Sequence, residues 1–267
     1  MRPKFQGETM PIIILTVEHS IATLTINRPE VKNAINAECI ALLSQYLTQI
    51  AADPTIRVVI LQGQGESFSA GADLNWMRSS IHCSASENRA DALKLATMLQ
   101  QLYALPKPTI ACVHGSVFGG AIGLITCCDI AIASDSAKFC LPEVKVGLSP
   151  AMISPYVIQA IGKRASSMLM LTGEVISANR ALEVNLVHQV VSDAKLESTV
   201  HNIAKNILKN SPQALKVTKQ LIQHKDLKEL DAHYTAGIIA DLRASAEGQE
   251  GLTAFLEKRK PNWDSIT

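Results

Sequence analysis

Across 267 residues the chain carries almost no net charge, 25 Lys and Arg against 24 Asp and Glu. That balance argues against a nucleic-acid partner, which would call for a strongly basic surface. Although 47% of the residues are hydrophobic, no uninterrupted apolar run is long enough to cross a bilayer. A secretory leader is not expected either: residues 1–9 are polar and irregular, and the apolar run 12–17 is too short for a signal core. Met10 offers a second candidate start, so whether residues 1–9 are native stays open. The cysteines at 39, 83, 112, 127, 128 and 140 form no C-x-x-C pair with a downstream His, which removes a zinc site. Reduced, buried thiols in a cytoplasmic protein are expected instead. The glycine-rich stretches match neither G-x-x-x-x-G-K-[ST] nor G-x-G-x-x-G, so no nucleotide-phosphate loop is indicated. Ser69 lacks an Asp-His pattern for a hydrolase triad.

What is present is a recurring strand–loop–helix order. Residues 12–17 and 21–26 read as strands around Glu18-His19-Ser20, and Asn27-Arg28-Pro29 ends the second. Ile40, Leu43, Leu47 and Ile50 recur at helical spacing until Asp53-Pro54, as do Leu95, Leu99 and Leu102 until Leu105-Pro106-Lys107-Pro108. Residues 58–61, 109–113 and 129–133 are short apolar strands, and 120–127 reads as a helix. Helices between strands indicate an α/β layer rather than a sandwich. From 196 onward the pattern turns helical, over 196–208, 213–224, 227–243 and 247–258. Two parts are therefore expected, an α/β core over 1–195 and a helical C-terminal region over 196–267, with no low-complexity linker between them.

Two glycine-marked loops carry the chemistry: Phe68-Ser69-Ala70-Gly71-Ala72-Asp73-Leu74 and His114-Gly115-Ser116-Val117-Phe118-Gly119-Gly120. Each follows a buried-looking strand and leads toward helix-compatible sequence. Glycine permits close backbone approach, and helix N-termini present unpaired N–H groups. The N–H groups of Ala72 and Gly120 could thus share one developing oxyanion. Leu141-Pro142-Glu143-Val144 then places a carboxylate on a Pro-stiffened turn. Donors plus an acid point to proton chemistry beside a carbonyl. His114, Asp73 and Asp129 read more simply as hydrogen-bonded structural groups.

These motifs, with Cys128-Asp129-Ile130-Ala131 and Phe139-Cys140-Leu141-Pro142-Glu143, stand in the order and spacing of the crotonase superfamily. The chain resembles an enoyl-CoA hydratase/isomerase from Asn27-Arg28-Pro29 to Phe255-Leu256-Glu257-Lys258-Arg259-Lys260. The resemblance implies an α/β spiral of ββα units and a helical C-terminal region that builds a homotrimer or a hexamer of two trimers. It implies an acyl-CoA thioester held between the N–H groups of Ala72 and Gly120, with Glu143 as acid/base. CoA arrives as part of the substrate, and no separate cofactor or metal is expected. Ala70, Asp73, Leu74, Asn75 and Gly119 should line the substrate path. Lys32 reads equally as a CoA phosphate contact or a solvated lysine. Lys258 and Lys260 offer the same pair of readings, while Trp76 and Met77 could wall the acyl pocket or simply pack.

One position departs from the pattern. Hydratases of this family often carry a second glutamate in the helix after the double glycine, where this chain has Gly123. A single carboxylate suffices to move a proton between α- and γ-carbons, which favours a double-bond isomerase. Residues 68–77 together with Gly119-Gly120-Ala121-Ile122-Gly123-Leu124 and Ile153-Ser154-Pro155-Tyr156 resemble instead the methylglutaconyl-CoA hydratase-like branch, associated with leucine and isoprenoid-acid breakdown. In that branch Gly can stand where Gly123 does. The expectation is a hydratase, with the isomerase as the alternative and an acyl-CoA- or RNA-binding member of weak activity as a third reading.

Overall fold

The computed structural model of the chain describes residues 11–224, 226 and 229–264. Strands β1 (Ile13–Glu18) and β2 (Ile21–Ile26) pair antiparallel through a two-residue turn. His19 and Ser20 both take positive φ there, 48° and 64°, the geometry that matches a tight turn to the twist of its strands. Asn36 caps helix α1 (Ala37–Ala52) by accepting from the Cys39 N–H, and the helix buries Ile40, Leu43, Leu47 and Ile50 as its periodicity predicts.

Strand β3 (Val58–Gly63) is followed by α2 (Leu74–Ser80) and α3 (Ala85–Tyr103). Next come β4 (Thr109–Val113), β5 (Ser116–Phe118) and α4 (Gly120–Cys127), then β6 (Ile130–Ser134), β7 (Lys138–Cys140) and α5 (Ser154–Thr172). Two successive ββα units are thus visible. Strand β8 (Val175–Ser177), helix α6 (Ala178–Glu183) and β9 (Gln189–Val191) complete the sheets. The large sheet runs β1-β2-β3-β4-β6-β9 and is parallel apart from β1, while β5-β7-β8 form a second, smaller sheet. Each unit therefore gives one strand to each sheet, which is the α/β spiral of ββα units that the sequence implies.

The core lies on one face of the large sheet, where Leu43, Leu47, Met98, Leu99, Leu102, Leu124 and Ile125 are almost wholly buried. Helix α7 (Asp193–Leu208) covers the other face. Its Leu196, Val200, Ala204 and Leu208 pack against Val58, Ile60, Ile110, Cys112 and Ile132. Burying each of its larger aliphatic side chains stabilises the layer by about 1.5–3 kcal/mol at most.

Helices α8 (Pro212–Ile222), α9 (Ala232–Ala244) and α10 (Ala246–Leu256) follow. The helix expected over 227–243 begins at 232, behind an Asp231 cap that accepts from the Tyr234 N–H. Residues 227 and 228 of that expectation, and residues 1–10 with the candidate start at Met10, lie outside the described residues. Lys258 lies past the end of α10 at φ 57° rather than on a helix. Among the described residues no helix is long and apolar enough to cross a membrane.

Candidate active site

The two glycine-marked loops are tied to each other. Ser69 N–H donates to the Ser116 carbonyl at 3.1 Å and Phe118 N–H to the Ser69 carbonyl at 3.2 Å, making a parallel bridge between Ser69 and Val117. Part of the second loop is therefore strand β5, which pairs with β7 from later in the chain. The loops meet again at Gly71, whose φ is 95° and where a Cβ would lie 2.8 Å from the Phe118 carbonyl oxygen. Only glycine allows both that dihedral and that approach.

Among the described residues, neither the Ala72 nor the Gly120 N–H donates to a protein acceptor, whereas the N–H groups of Gly71, Asp73 and Gly119 beside them do. Ala72 is exposed and Gly120 half-buried, so both face accessible space. The reasons for their freedom differ. Gly120 is the first residue of α4, where an N–H has no intrahelical acceptor. Ala72 precedes the Asp73 cap of α2, so it is not a first-turn amide as a helix-terminus argument expects. The local peptide geometry frees it instead. Helix α2 likewise has no buried residues, so the first loop does not lead into a core helix.

Glu143 opens a short 3-10 turn over Glu143–Val146. Its carboxylate rests on the double glycine: a Cβ at Gly119 would lie 3.1 Å from Glu143 Oε1. The Gly119 N–H donates to the Cys140 carbonyl at 2.9 Å, fastening that glycine to the strand just before Leu141-Pro142-Glu143. Three segments distant in sequence, around Gly71, Gly119 and Glu143, are thus in contact. Among the described residues, Glu143 Oε2 is buried without a hydrogen-bond partner. Burial raises the carboxyl above its ordinary range, partly offset by a backbone hydrogen bond, and no charged neighbour contributes.

Gly123 is one turn beyond Gly119 on α4, hence on the same face. A Cβ there would lie 2.2 Å from Ile153 Cγ2 and 3.5 Å from Leu99 Cδ2. The carboxylate absent at this position is replaced by packed hydrocarbon.

The flanking residues fall into two groups. Ala70 donates its N–H to the Lys32 carbonyl at 2.9 Å, placing the Lys32 backbone beside the first loop. The Lys32 side chain is exposed at φ 52° and forms no ion pair among the described residues. Leu74 and Asn75 are exposed at the start of α2, while Trp76 and Met77 are half-buried and Trp76 packs on the core. The Asp73 carboxylate caps α2 through the Asn75 and Trp76 N–H groups and pairs with Arg28 at 2.8 Å, which hold it below the usual carboxylate range despite its burial. His114 contacts the Gly65 carbonyl at 2.9 Å, and Asp129 accepts from the Thr109 N–H and Oγ1 and from Lys219. Both are structural. No group of three or more His, Cys, Asp or Glu is placed to hold a metal among the described residues. Arg28 and Ile153 stand in strings that carry the resemblance, but their place at this site, like that of Ile35, shows only in the folded chain.

Known proteins resemble this chain in sequence and in fold. The enoyl-CoA hydratase/isomerase family profile matches residues 16–266. Crotonyl-CoA hydratase of Syntrophomonas wolfei is 34% identical over 257 residues, covering 95% of this chain and 98% of that protein. An enoyl-CoA hydratase structure from Shewanella pealeana superposes with a TM-score of 0.90 at 41% identity, covering 95% of this chain and 96% of the other. AtuE of Pseudomonas aeruginosa superposes at 0.91 with 31% identity, covering 96% of this chain and all of that one. The chain belongs to the enoyl-CoA hydratase/isomerase family, within the crotonase superfamily, and is an enzyme of that class.

Proposed function

We propose that the chain hydrates an α,β-unsaturated acyl-CoA, using Ala72 and Gly120 as oxyanion donors and Glu143 as the acid/base. The thioester oxygen sits between the two N–H groups. Glu143 takes a proton from water as the water oxygen bonds to the β-carbon, and the π-electrons move onto the thioester oxygen. The enolate then collapses as Glu143 returns that proton to the α-carbon. Atoms balance with water alone, so the scheme uses no cofactor beyond the CoA carried by the substrate. The observation that carries it is the buried Glu143 carboxylate resting on Gly119, its Oε2 unpartnered among the described residues, together with the free N–H groups of Ala72 and Gly120. A carboxyl with a raised pKa is better suited to holding and returning a proton near neutrality.

For the acyl group the reading is a methylglutaconyl-CoA-like substrate, as in leucine breakdown, whose own carboxylate would stand in for the one missing at Gly123. The branch resemblance of residues 68–77 and 153–156 supports it. A homotrimer or hexamer is proposed from the C-terminal helices, which leave Tyr234, Ile239, Leu252, Phe255 and Leu256 exposed. The proposed location is cytoplasmic, in keeping with reduced thiols.

One observation favours double-bond isomerisation as a second reading: Ile153 fills the space over Gly123, leaving one carboxylate in an apolar wall. Purified protein given crotonyl-CoA, 3-methylglutaconyl-CoA and a 3-enoyl-CoA separates the readings. Water addition to the first two is expected. Bond migration without water addition would replace the hydratase reading with the isomerase, and binding without turnover would remove both.

A further inference from the structure

The direction of the Ala72 N–H is set by a partner outside the loop. Ile35 N–H donates to the Gly71 carbonyl at 2.7 Å, and Asp73 N–H donates to the Ile35 carbonyl at 2.9 Å. The Gly71 carbonyl and the Ala72 N–H belong to one trans peptide, so they point in opposite directions. Holding that carbonyl on Ile35 therefore aims the Ala72 N–H away from Ile35, into the open site.

One guanidinium spans this bridge. Arg28 Nη1 donates to the Ala34 carbonyl at 2.5 Å and Nη2 pairs with Asp73 Oδ2 at 2.8 Å, with both side chains largely buried. Ala34 precedes Ile35 and Asp73 follows Ala72, so the fork grips both strands of the bridge at once. The Arg28 N–H also donates to Oδ1 of the fully buried Asn33, whose Nδ2 donates to the Gln64 and Ser67 carbonyls. A lysine at position 28 would keep the charge but lose the two-pronged reach.

We propose that Arg28 is a positioning residue for the reaction, fixing the aim of the Ala72 N–H through Ala34 and Asp73. The proposal rests on the oxyanion role given to Ala72 above, and holds whether the enolate then leads to hydration or to bond migration. Because an oxyanion donor must lie within about 2.7–3.1 Å of the charge it stabilises, a loosened bridge costs enolate stabilisation while leaving CoA contacts in place.

The test compares Arg28→Lys and Arg28→Met with wild type. It measures kcat and KM on crotonyl-CoA and a 3-enoyl-CoA, and the affinities for butyryl-CoA and acetoacetyl-CoA. The last forms an enolate whose ultraviolet absorbance reports its ionisation when bound. The expected result is a kcat reduced roughly 10- to 100-fold, with KM within about threefold. Acetoacetyl-CoA enolate should weaken by a similar factor and butyryl-CoA hardly at all. Arg28→Lys keeps charge and most of the volume, so it carries the test if Arg28→Met does not fold. A wild-type kcat in Arg28→Lys, or equal weakening of both ligands, would overturn the proposal. A wild type that binds acetoacetyl-CoA as its enolate but turns over neither substrate would overturn the proposed reaction alone. A wild type that binds no acyl-CoA would overturn both.

Discussion

Ile153 occupies the space that any side chain at position 123 would need: its Cγ2 lies 2.2 Å from where a Cβ on Gly123 would be. Glycine at 123 and isoleucine at 153 therefore act as one packing unit, placed on the same face of α4 as the contact between Gly119 and Glu143. The missing second carboxylate is thus a built feature of this site. Restoring it takes two changes, because the first alone meets a full wall.

This coupling is measurable as stability. Gly123→Ala should gain helix propensity of about 1 kcal/mol yet lose about 1–3 kcal/mol to overpacking against Ile153. Ile153→Ala alone should cost about 2–5 kcal/mol. The double variant should be more stable than the sum of the two predicts, since each change relieves the other. Urea unfolding of all four proteins closes the cycle, and strict additivity would show that the two positions are not packed as described.

Glu143→Gln should leave the fold intact and lower turnover by about 100- to 10,000-fold. It should also change how stability depends on pH. Burial raises the Glu143 pKa above its ordinary value of 4.5 in the folded protein. The folded state therefore holds this proton more tightly than the unfolded chain does. The resulting stability is fully present below 4.5 and is lost as pH rises through the folded pKa. The variant should match wild type in acid and exceed it at neutral pH. Urea midpoints at pH 4 and pH 7 decide this, and a variant equally or less stable at both would contradict it.

The α/β layering was legible because hydrophobic periodicity marks long elements, as in α1, α3 and the strands β2 to β4, and because prolines mark their ends, whereas the spiral itself followed from the family resemblance. Other elements escaped for physical reasons. Helix α2 buries nothing, α6 has six residues, and α5 passes through a non-helical Gly162 at φ 73°. Strand β5 owes its existence to β7, a partner no local pattern reveals. At the site, Ala72, Gly120 and Glu143 stand in recognisable strings, so their proximity could be anticipated. Arg28 reads as part of a strand stop beside Pro29, and Ile153 as part of the Ile153-Ser154-Pro155-Tyr156 string that carries the branch resemblance. Their relation to Asp73 and Gly123 depends on side-chain geometry across the fold.

The thiols offer a chemical check on the same packing. Five of the six cysteines are buried and only Cys83 is partly accessible. Burial pushes Cys112 and Cys128 up to about 12, and Cys39, Cys127 and Cys140 also rise. Thiolate is the reactive form. In the native protein at neutral pH, iodoacetamide should therefore modify Cys83 alone, with the other five reacting only in denaturant. Peptide mass mapping reads the pattern, and rapid labelling of Cys127 or Cys128 would contradict the packing of α4.

Removing Lys219 has a defined structural consequence. Its side chain is 7% exposed and its ammonium bonds Asp129 Oδ2 at 2.7 Å and the Lys107 carbonyl at 3.1 Å. Asp129 also accepts from the Thr109 N–H and Oγ1, so this single carboxylate joins β4, the start of β6 and helix α8. Lys219→Met removes the charge while keeping most of the hydrocarbon stem. Asp129 is partly solvated and retains its Thr109 bonds, so the loss should fall below the 3–5 kcal/mol of a fully buried pair, at about 1–3 kcal/mol. Because Lys219 is the only buried residue of α8, the effect should concentrate there. Amide exchange should accelerate in α8 of the variant while β4 and β6 keep their protection. Uniform acceleration across the sheet would show instead that the pair holds the core itself rather than docking the C-terminal helices onto it.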